Sequence, residues 1–262
     1  SRPSGSEPLT KERQEVMTQP LYDTIGTGYA NLRRADPRIA EAIAKALGDA
    51  RMVINIGAGA GSYEPPGRTI LAVEPSERMV AQRPKGAAPC VRAVAGALPI
   101  KNAAADAAMA SLTIHHWPDW RQGLREMRRI ARRRVVLFTF DPDANAFWLT
   151  RDYVTALADL DRQKMPKIAD LATELGPCAV TPVPVPHDCT DGFLGAYWRK
   201  PEAYLDANLR SSMSSFALVD SKAGLERLAN DLASGTWTKA NADLLKKDAH
   251  DIGYRLLTWN FV

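Results

Sequence analysis

Apolar positions along the first 140 residues follow two alternating patterns. Short, mostly apolar runs at Met52–Ile56, Thr69–Val73, 91–94, 107–112 and 134–140 have the length of strands buried on both faces. Between them the apolar spacing becomes helical. Ile39, Ile43 and Leu47 recur every fourth residue in Pro37–Leu47, which Gly48 closes, and Leu124, Met127 and Ala131 share a face of 120–131. Continuous apolar strands alternating with helices predict a parallel sheet covered on both sides.

From residue 141 the pattern changes. Residues 146–160 and 165–175 read as helices, 203–209 and 225–232 as further helical pieces, and 252–261 as a closing strand. Residues 178–186 alternate as a proline-marked strand, which belongs at a sheet edge because proline donates no ladder hydrogen bond. No flexible linker precedes residue 141. Residues 141–215 therefore read as a cap over the carboxyl edge of the sheet, within one domain spanning 13–262. Residues 1–12 are polar and rich in Pro, Gly and Ser, and read as a disordered lead.

Composition narrows the class. A chain of 262 residues with 45% apolar and 24% charged residues suits a globular protein with a large core. The net charge of +4 is too small to demand a nucleic-acid or anionic-membrane partner. Arg125, Arg128, Arg129 and Arg132 would share one helical face, opposite Leu124, which reads as a solvated helix surface. Cys90, Cys178 and Cys189 are widely separated and the four histidines show no zinc-type spacing, so no metal is expected. Sparse cysteines, no signal-peptide pattern and no apolar run near the roughly 20 residues of a membrane span predict a cytoplasmic protein without a membrane partner.

The candidate chemistry starts in VINIGAGAGSYEPPG, residues 53–67. Gly57, Gly59 and Gly61 follow the first strand in G-x-G-x-G spacing, with Ser62 where a dinucleotide fingerprint has its late glycine. Pro65, Pro66 and Gly67 leave space for about one turn of helix before Thr69. The helix dipole that would hold a pyrophosphate is therefore largely missing. No Gly-Lys-Ser/Thr follows, which excludes a P-loop. The ligand needs close backbone approach and no phosphate cradle, which suits S-adenosylmethionine (SAM), a nucleoside without phosphate. Glu74, ending the second strand, stands where a carboxylate accepts hydrogen bonds from ribose hydroxyls in nucleotide-binding units.

Four stretches, VINIGAGAG (53–61), AVEPSERM (72–79), ALPI (97–100) and DAAMASLTIHHWPD (106–119), resemble in order the motifs of class I SAM-dependent methyltransferases. The match is closest to the small-molecule branch that includes quinone-biosynthesis and natural-product enzymes, and it covers roughly residues 20–141. The resemblance implies a Rossmann-like, doubly wound seven-stranded sheet with a reversed last strand, here 252–261, and a helical cap insertion. It implies SAM along the carboxyl edge, touching Tyr22, Asn55, Gly57, Ala58, Gly59, Gly61, Glu74, Pro75, Met79, Ala95, Gly96 and Leu112. Two positions depart from the pattern. Asn55 replaces the acid of the first motif, and no acid precedes Leu98-Pro99, leaving the backbone of Ala95 and Gly96 to meet adenine.

The same resemblance places His115 and His116 after the fourth strand, facing the transferred methyl, with His115 as proton acceptor and Asp141 as its orienting partner. Tyr22 and Tyr29 fall in an N-terminal lid, residues 13–36, that closes over SAM. Arg33 and Arg34 read as surface residues, with an acidic-substrate contact as the alternative. Tyr29, His116, Trp148, His187, Trp198 and Arg199 are the candidate substrate contacts, with Asp188 beside them. The expected function is methyl transfer to a small-molecule metabolite in specialised metabolism, by a monomer or homodimer without a nucleic-acid partner. Two alternatives stand beside it: SAM-fold chemistry without methyl transfer, such as cyclisation or decarboxylation, and a non-catalytic SAM-binding regulatory protein.

Overall fold

The structure, a computed structural model, describes residues 33–261. Helix α1 (Pro37–Leu47) begins where the buried carboxylate of Asp36 accepts from the Arg38 N–H at 3.0 Å. Strands β1 (Met52–Ile56), β2 (Thr69–Val73), β3 (Cys90–Val91), β4 (Ala105–Ser111) and β5 (Ala131–Phe140) follow, with helices α2 (Glu77–Ala81) and α3 (Trp120–Ile130) between them. Helices α4 (Thr155–Lys164) and α5 (Ile168–Glu174) then lead to β6 (Ala179–Pro182) and the short β7 (Val185–Pro186). Helices α6 (Ala207–Arg210), α7 (Lys222–Ala233) and α8 (Thr236–Ala240), then β8 (Ala249–His250) and β9 (Tyr254–Asn260), complete the chain.

Seven strands form one sheet in the order β3-β2-β1-β4-β5-β9-β6, and β7 pairs separately with β8. The strands from β1 to β5 are parallel, while β9 runs antiparallel to both β5 and β6. This is the Rossmann-like, doubly wound sheet with a reversed last strand. Strand alternation sends Val53, Met109, Val136 and Phe138 to one face, against Ile39, Ile43 and Leu47 of α1. Ile54, Ala108, Val135 and Leu137 face the other side, against Leu124, Met127 and Ile130 of α3. Trp148, Tyr204 and Trp237 from the C-terminal half join the same cluster as Phe138.

Several expected boundaries shift for local reasons. β3 ends at Val91, and the chain then turns, with Ala97 N–H bonded to the Val94 carbonyl at 3.2 Å. The helix expected over 146–160 is interrupted by a π-type turn at Leu149–Tyr153, where the Val154 N–H reaches back to the Leu149 carbonyl. Gly224 of α7 packs directly on the Tyr153 carbonyl there, which a side chain would block. The proline-marked run at 178–186 splits into the edge strand β6 and the separate β7. Arg132 lies on β5 rather than on the helix face, because α3 stops at Ile130; it pairs with Asp106 at 2.7 Å. Arg125 of that face pairs with Glu174 of α5 at 2.8 Å. Among the described residues no helix is long and apolar enough to cross a membrane.

Candidate active site

β1 delivers the chain into turns without any helix before β2, as the prolines predict. Gly57, Gly59 and Gly61 all take positive φ, at 66°, 52° and 97°. Two of them are glycine for different reasons. A Cβ on Gly57 would overlap the side chain of Thr113, just after β4, so close packing of two loops excludes it. A Cβ on Gly59 would meet only the end of the flexible Met79 side chain, at 3.3 Å. The space over the Cα of Gly59 is thus open rather than packed.

Glu74 is buried at the end of β2 and ties this loop to the next one. One carboxylate oxygen accepts from the Gly59 N–H at 2.8 Å, the other from the Ser76 N–H at 2.9 Å. Ser76 in turn caps α2 by accepting from the Met79 N–H at 3.2 Å, which fixes the buried Met79 and Pro75 beside the loop. The Ala58 N–H bonds the Val73 carbonyl at 3.0 Å. Ala95 is buried in the turn after β3, and Gly96 there accepts from the Gln122 side chain at 3.4 Å. Leu112, with φ of 51°, ends the β4 segment, its N–H bonded to the Phe138 carbonyl at 2.8 Å.

Asn55 is buried on β1. Its side-chain NH₂ donates to Glu64 at 3.2 Å, while its buried oxygen has no partner among the described residues. Glu64 is itself held by Arg83 at 2.9 Å, and Arg83 also donates to the Gly59 carbonyl at 3.4 Å. A carboxylate, that of Glu64, thus lies beside Asn55, with Arg83 as its counter-ion. Neither residue stood out in the sequence.

Past β4 a short turn, Ile114–His116, carries the two histidines into a cavity that is partly open to solvent. Leu112, Phe140, Phe147, Phe193 and Met213 make its walls largely apolar. The histidine rings lie 3.9 Å apart, and the His115 Nδ1 is buried with no partner among the described residues. Burial, with added repulsion from His116, Lys164 and Arg33, holds His115 well below the usual imidazole range. Burial and Lys164 bring His116 down to about 4. Both rings are therefore neutral at neutral pH.

Arg33 also lines the cavity, and it is no surface residue. Its guanidinium pairs at 2.6 Å with the fully buried Asp191, which also accepts from the Tyr63 hydroxyl of the glycine loop at 2.7 Å. Arg34 is exposed, as expected.

Other expected residues are placed elsewhere. Asp141 does not orient His115: one carboxylate oxygen accepts from the Asp143 N–H at 3.0 Å, and the other lies 3.9 Å from Arg255. Trp148 and Trp198 are buried in the core away from the cavity, their indole N–H groups bonded to the carbonyls of Trp198 and Val185. Aromatic bulk drove them inward. His187 hydrogen-bonds the Asp248 carbonyl and Arg199 the Lys247 carbonyl, both at the surface and not in the cavity wall. Asp188 is an exposed partner of Arg38 at 2.6 Å. Tyr22, Tyr29, the lead and most of the lid lie outside the described residues.

Comparison with known proteins agrees with this geometry. Residues 54–139 match the methyltransferase-domain family. The fold matches that of a protein from Anabaena variabilis, described as a methyltransferase of an antibiotic biosynthesis pathway, with a TM-score of 0.80 and 32% identity. The match covers 88% of this chain and 99% of that one. A SAM-dependent methyltransferase of Thermotoga maritima shares the fold at a TM-score of 0.51 and 22% identity, covering 65% of this chain and 84% of its own. A geranyl diphosphate C-methyltransferase of Streptomyces coelicolor, solved with S-adenosylhomocysteine, matches at 0.50 and 14%, over 86% and 79% of the two chains. No curated protein matches the sequence. The chain belongs to the class I SAM-dependent methyltransferases, and SAM is its cofactor. Of the three readings raised by the sequence, these matches support the SAM-dependent methyltransferase.

Proposed function

We propose that this enzyme methylates a small, largely apolar metabolite held in the cavity beside His115, as part of specialised metabolism. One observation carries the reading. The glycine loop and the histidine turn touch through Gly57 and Thr113, so the cofactor loop and the cavity meet at the end of β4. The Anabaena relative, from an antibiotic biosynthesis pathway, supports the specialised setting. Free cysteines at 90, 178 and 189 support a cytoplasmic one.

SAM, when bound, supplies an electrophilic methyl group. The residues of this chain fit it: Gly59 leaves bare backbone, and Glu74 stands at the end of β2 to accept from the ribose hydroxyls. Asn55, Gly61, Met79, Ala95 and Leu112 complete the cofactor site. The largely apolar walls hold the acceptor by its apolar part. His115 presents a neutral ring to the cavity wall, and that ring accepts the acceptor's proton.

Incubating the enzyme with SAM and a library of small aromatic and alicyclic metabolites should yield S-adenosylhomocysteine with a subset of them. Product formation with protein or nucleic-acid acceptors alone would overturn the small-molecule reading. Glu74→Ala should weaken SAM binding by about 1–3 kcal/mol in calorimetry, since a charged hydrogen-bond acceptor is lost. An unchanged affinity would remove Glu74 from the ribose site.

A further inference from the structure

One carboxylate in the cavity is used by nothing described so far. Asp161 sits on α4, one turn after the fully buried Leu157, so helical spacing turns it toward the protein rather than to water. It lines the same cavity as His115 and His116. Among the described residues its carboxylate has neither a hydrogen-bond nor an ion-pair partner.

We propose that Asp161 anchors a basic nitrogen of the acceptor, which is then an amphipathic amine with an apolar ring or chain. This rests on the reading of the cavity as the acceptor site. A carboxylate held among apolar walls is unfavourable until a cation meets it. The other groups facing the cavity do not supply one. Arg33 is engaged by Asp191 at 2.6 Å, His115 and His116 are neutral, and the Tyr254 hydroxyl accepts from the Gly195 N–H. Lys164, which lines the cavity and repels a charge on either imidazole, forms no ion pair with Asp161 and is not among the charges acting on its carboxyl. Burial accordingly lifts the Asp161 carboxyl to about 7, with only Arg162 opposing. An ammonium group entering the cavity reverses that cost and pairs with the carboxylate. Phe140, Phe147 and Phe193 offer faces and edges to the rest of the molecule.

The test uses dicyclohexylcarbodiimide, an apolar reagent that modifies protonated carboxyls in apolar surroundings, with adducts located by peptide mass spectrometry at neutral pH. Asp161 should be labelled ahead of the exposed Asp159 on the same helix. With S-adenosylhomocysteine present, 2-phenylethylamine should slow that labelling at least tenfold, while 2-phenylethanol and 3-phenylpropanoate slow it less than twofold. In calorimetry, Asp161→Asn should bind 2-phenylethylamine at least tenfold more weakly than the wild type. Absence of preferential labelling, no protection by the amine, or equal protection by the alcohol overturns the proposal. Titration of the wild type with S-adenosylhomocysteine is the separate arm. Failure there would overturn the cofactor-site assignment, while the labelling of Asp161 still decides the anchor.

Discussion

Gly59→Val should weaken SAM binding severely while leaving a folded protein. The main-chain cost is bounded: Val at φ of 52° is strained, and such strain is worth roughly 1–3 kcal/mol. For a chain of this size that lowers the melting temperature by roughly 3–10 °C. The packing cost is small, because the new Cβ meets only the tip of Met79 at 3.3 Å. The ligand cost is large, because the side chain fills the space that the cofactor must enter. We expect an affinity loss of roughly 100-fold or more, equivalent to about 2.7 kcal/mol. Gly57→Val is the contrast. There the Cβ overlaps Thr113, so the protein should lose stability before binding can be measured. A folded Gly59→Val variant with wild-type SAM affinity would show that the bare backbone serves the turn alone.

That pair of glycines marks where the sequence is legible and where it stops. Spacing after β1 exposed the loop, and the prolines at 65 and 66 foretold the missing helix. Short, mostly apolar runs located β1 and β2 to the residue, because parallel strands buried on both faces carry few polar positions. Such patterns could not say that Gly57 answers to Thr113, which lies 56 positions away in the chain and adjacent in the fold. The same limit hides Glu64 and Arg83, which pair beside Asn55 through contacts of low sequence regularity. Trp148 and Trp198 show the opposite failure. Their indole groups suggested an acceptor wall, yet a ring that finds a carbonyl for its N–H is as readily core. Asp161 was legible in principle, since it falls one turn after Leu157 on an apolar stripe. A carboxylate in that register is the kind of local conflict that functional sites tolerate.

His115→Ala should reduce turnover by roughly 10²–10⁴-fold with SAM affinity intact, the usual weight of a positioned proton acceptor. The geometry changes what the pH profile must show. An unperturbed imidazole would lose activity below about pH 6.5, as protonation removes its lone pair. Here burial depresses the His115 value, so the neutral, active form persists to lower pH and its acid limb moves down accordingly. Turnover at saturating acceptor should therefore stay flat from about pH 6 to 8. Asp161 titrates in the opposite sense: its raised value, about 7, means that the carboxylate form is lost as pH falls through neutrality. That limb belongs in kcat/KM, which reports the free enzyme, and should vanish in Asp161→Asn. His116→Ala supplies the control, since its ring lies 3.9 Å from His115 and should matter less if it only packs there. Asp141→Asn should leave turnover near wild type, because its carboxylate serves the Asp143 N–H and not the imidazole. A His115→Ala enzyme with near-wild-type turnover would remove proton acceptance from this ring. Methyl transfer would then rest on proximity alone, with an acceptor atom that is already nucleophilic.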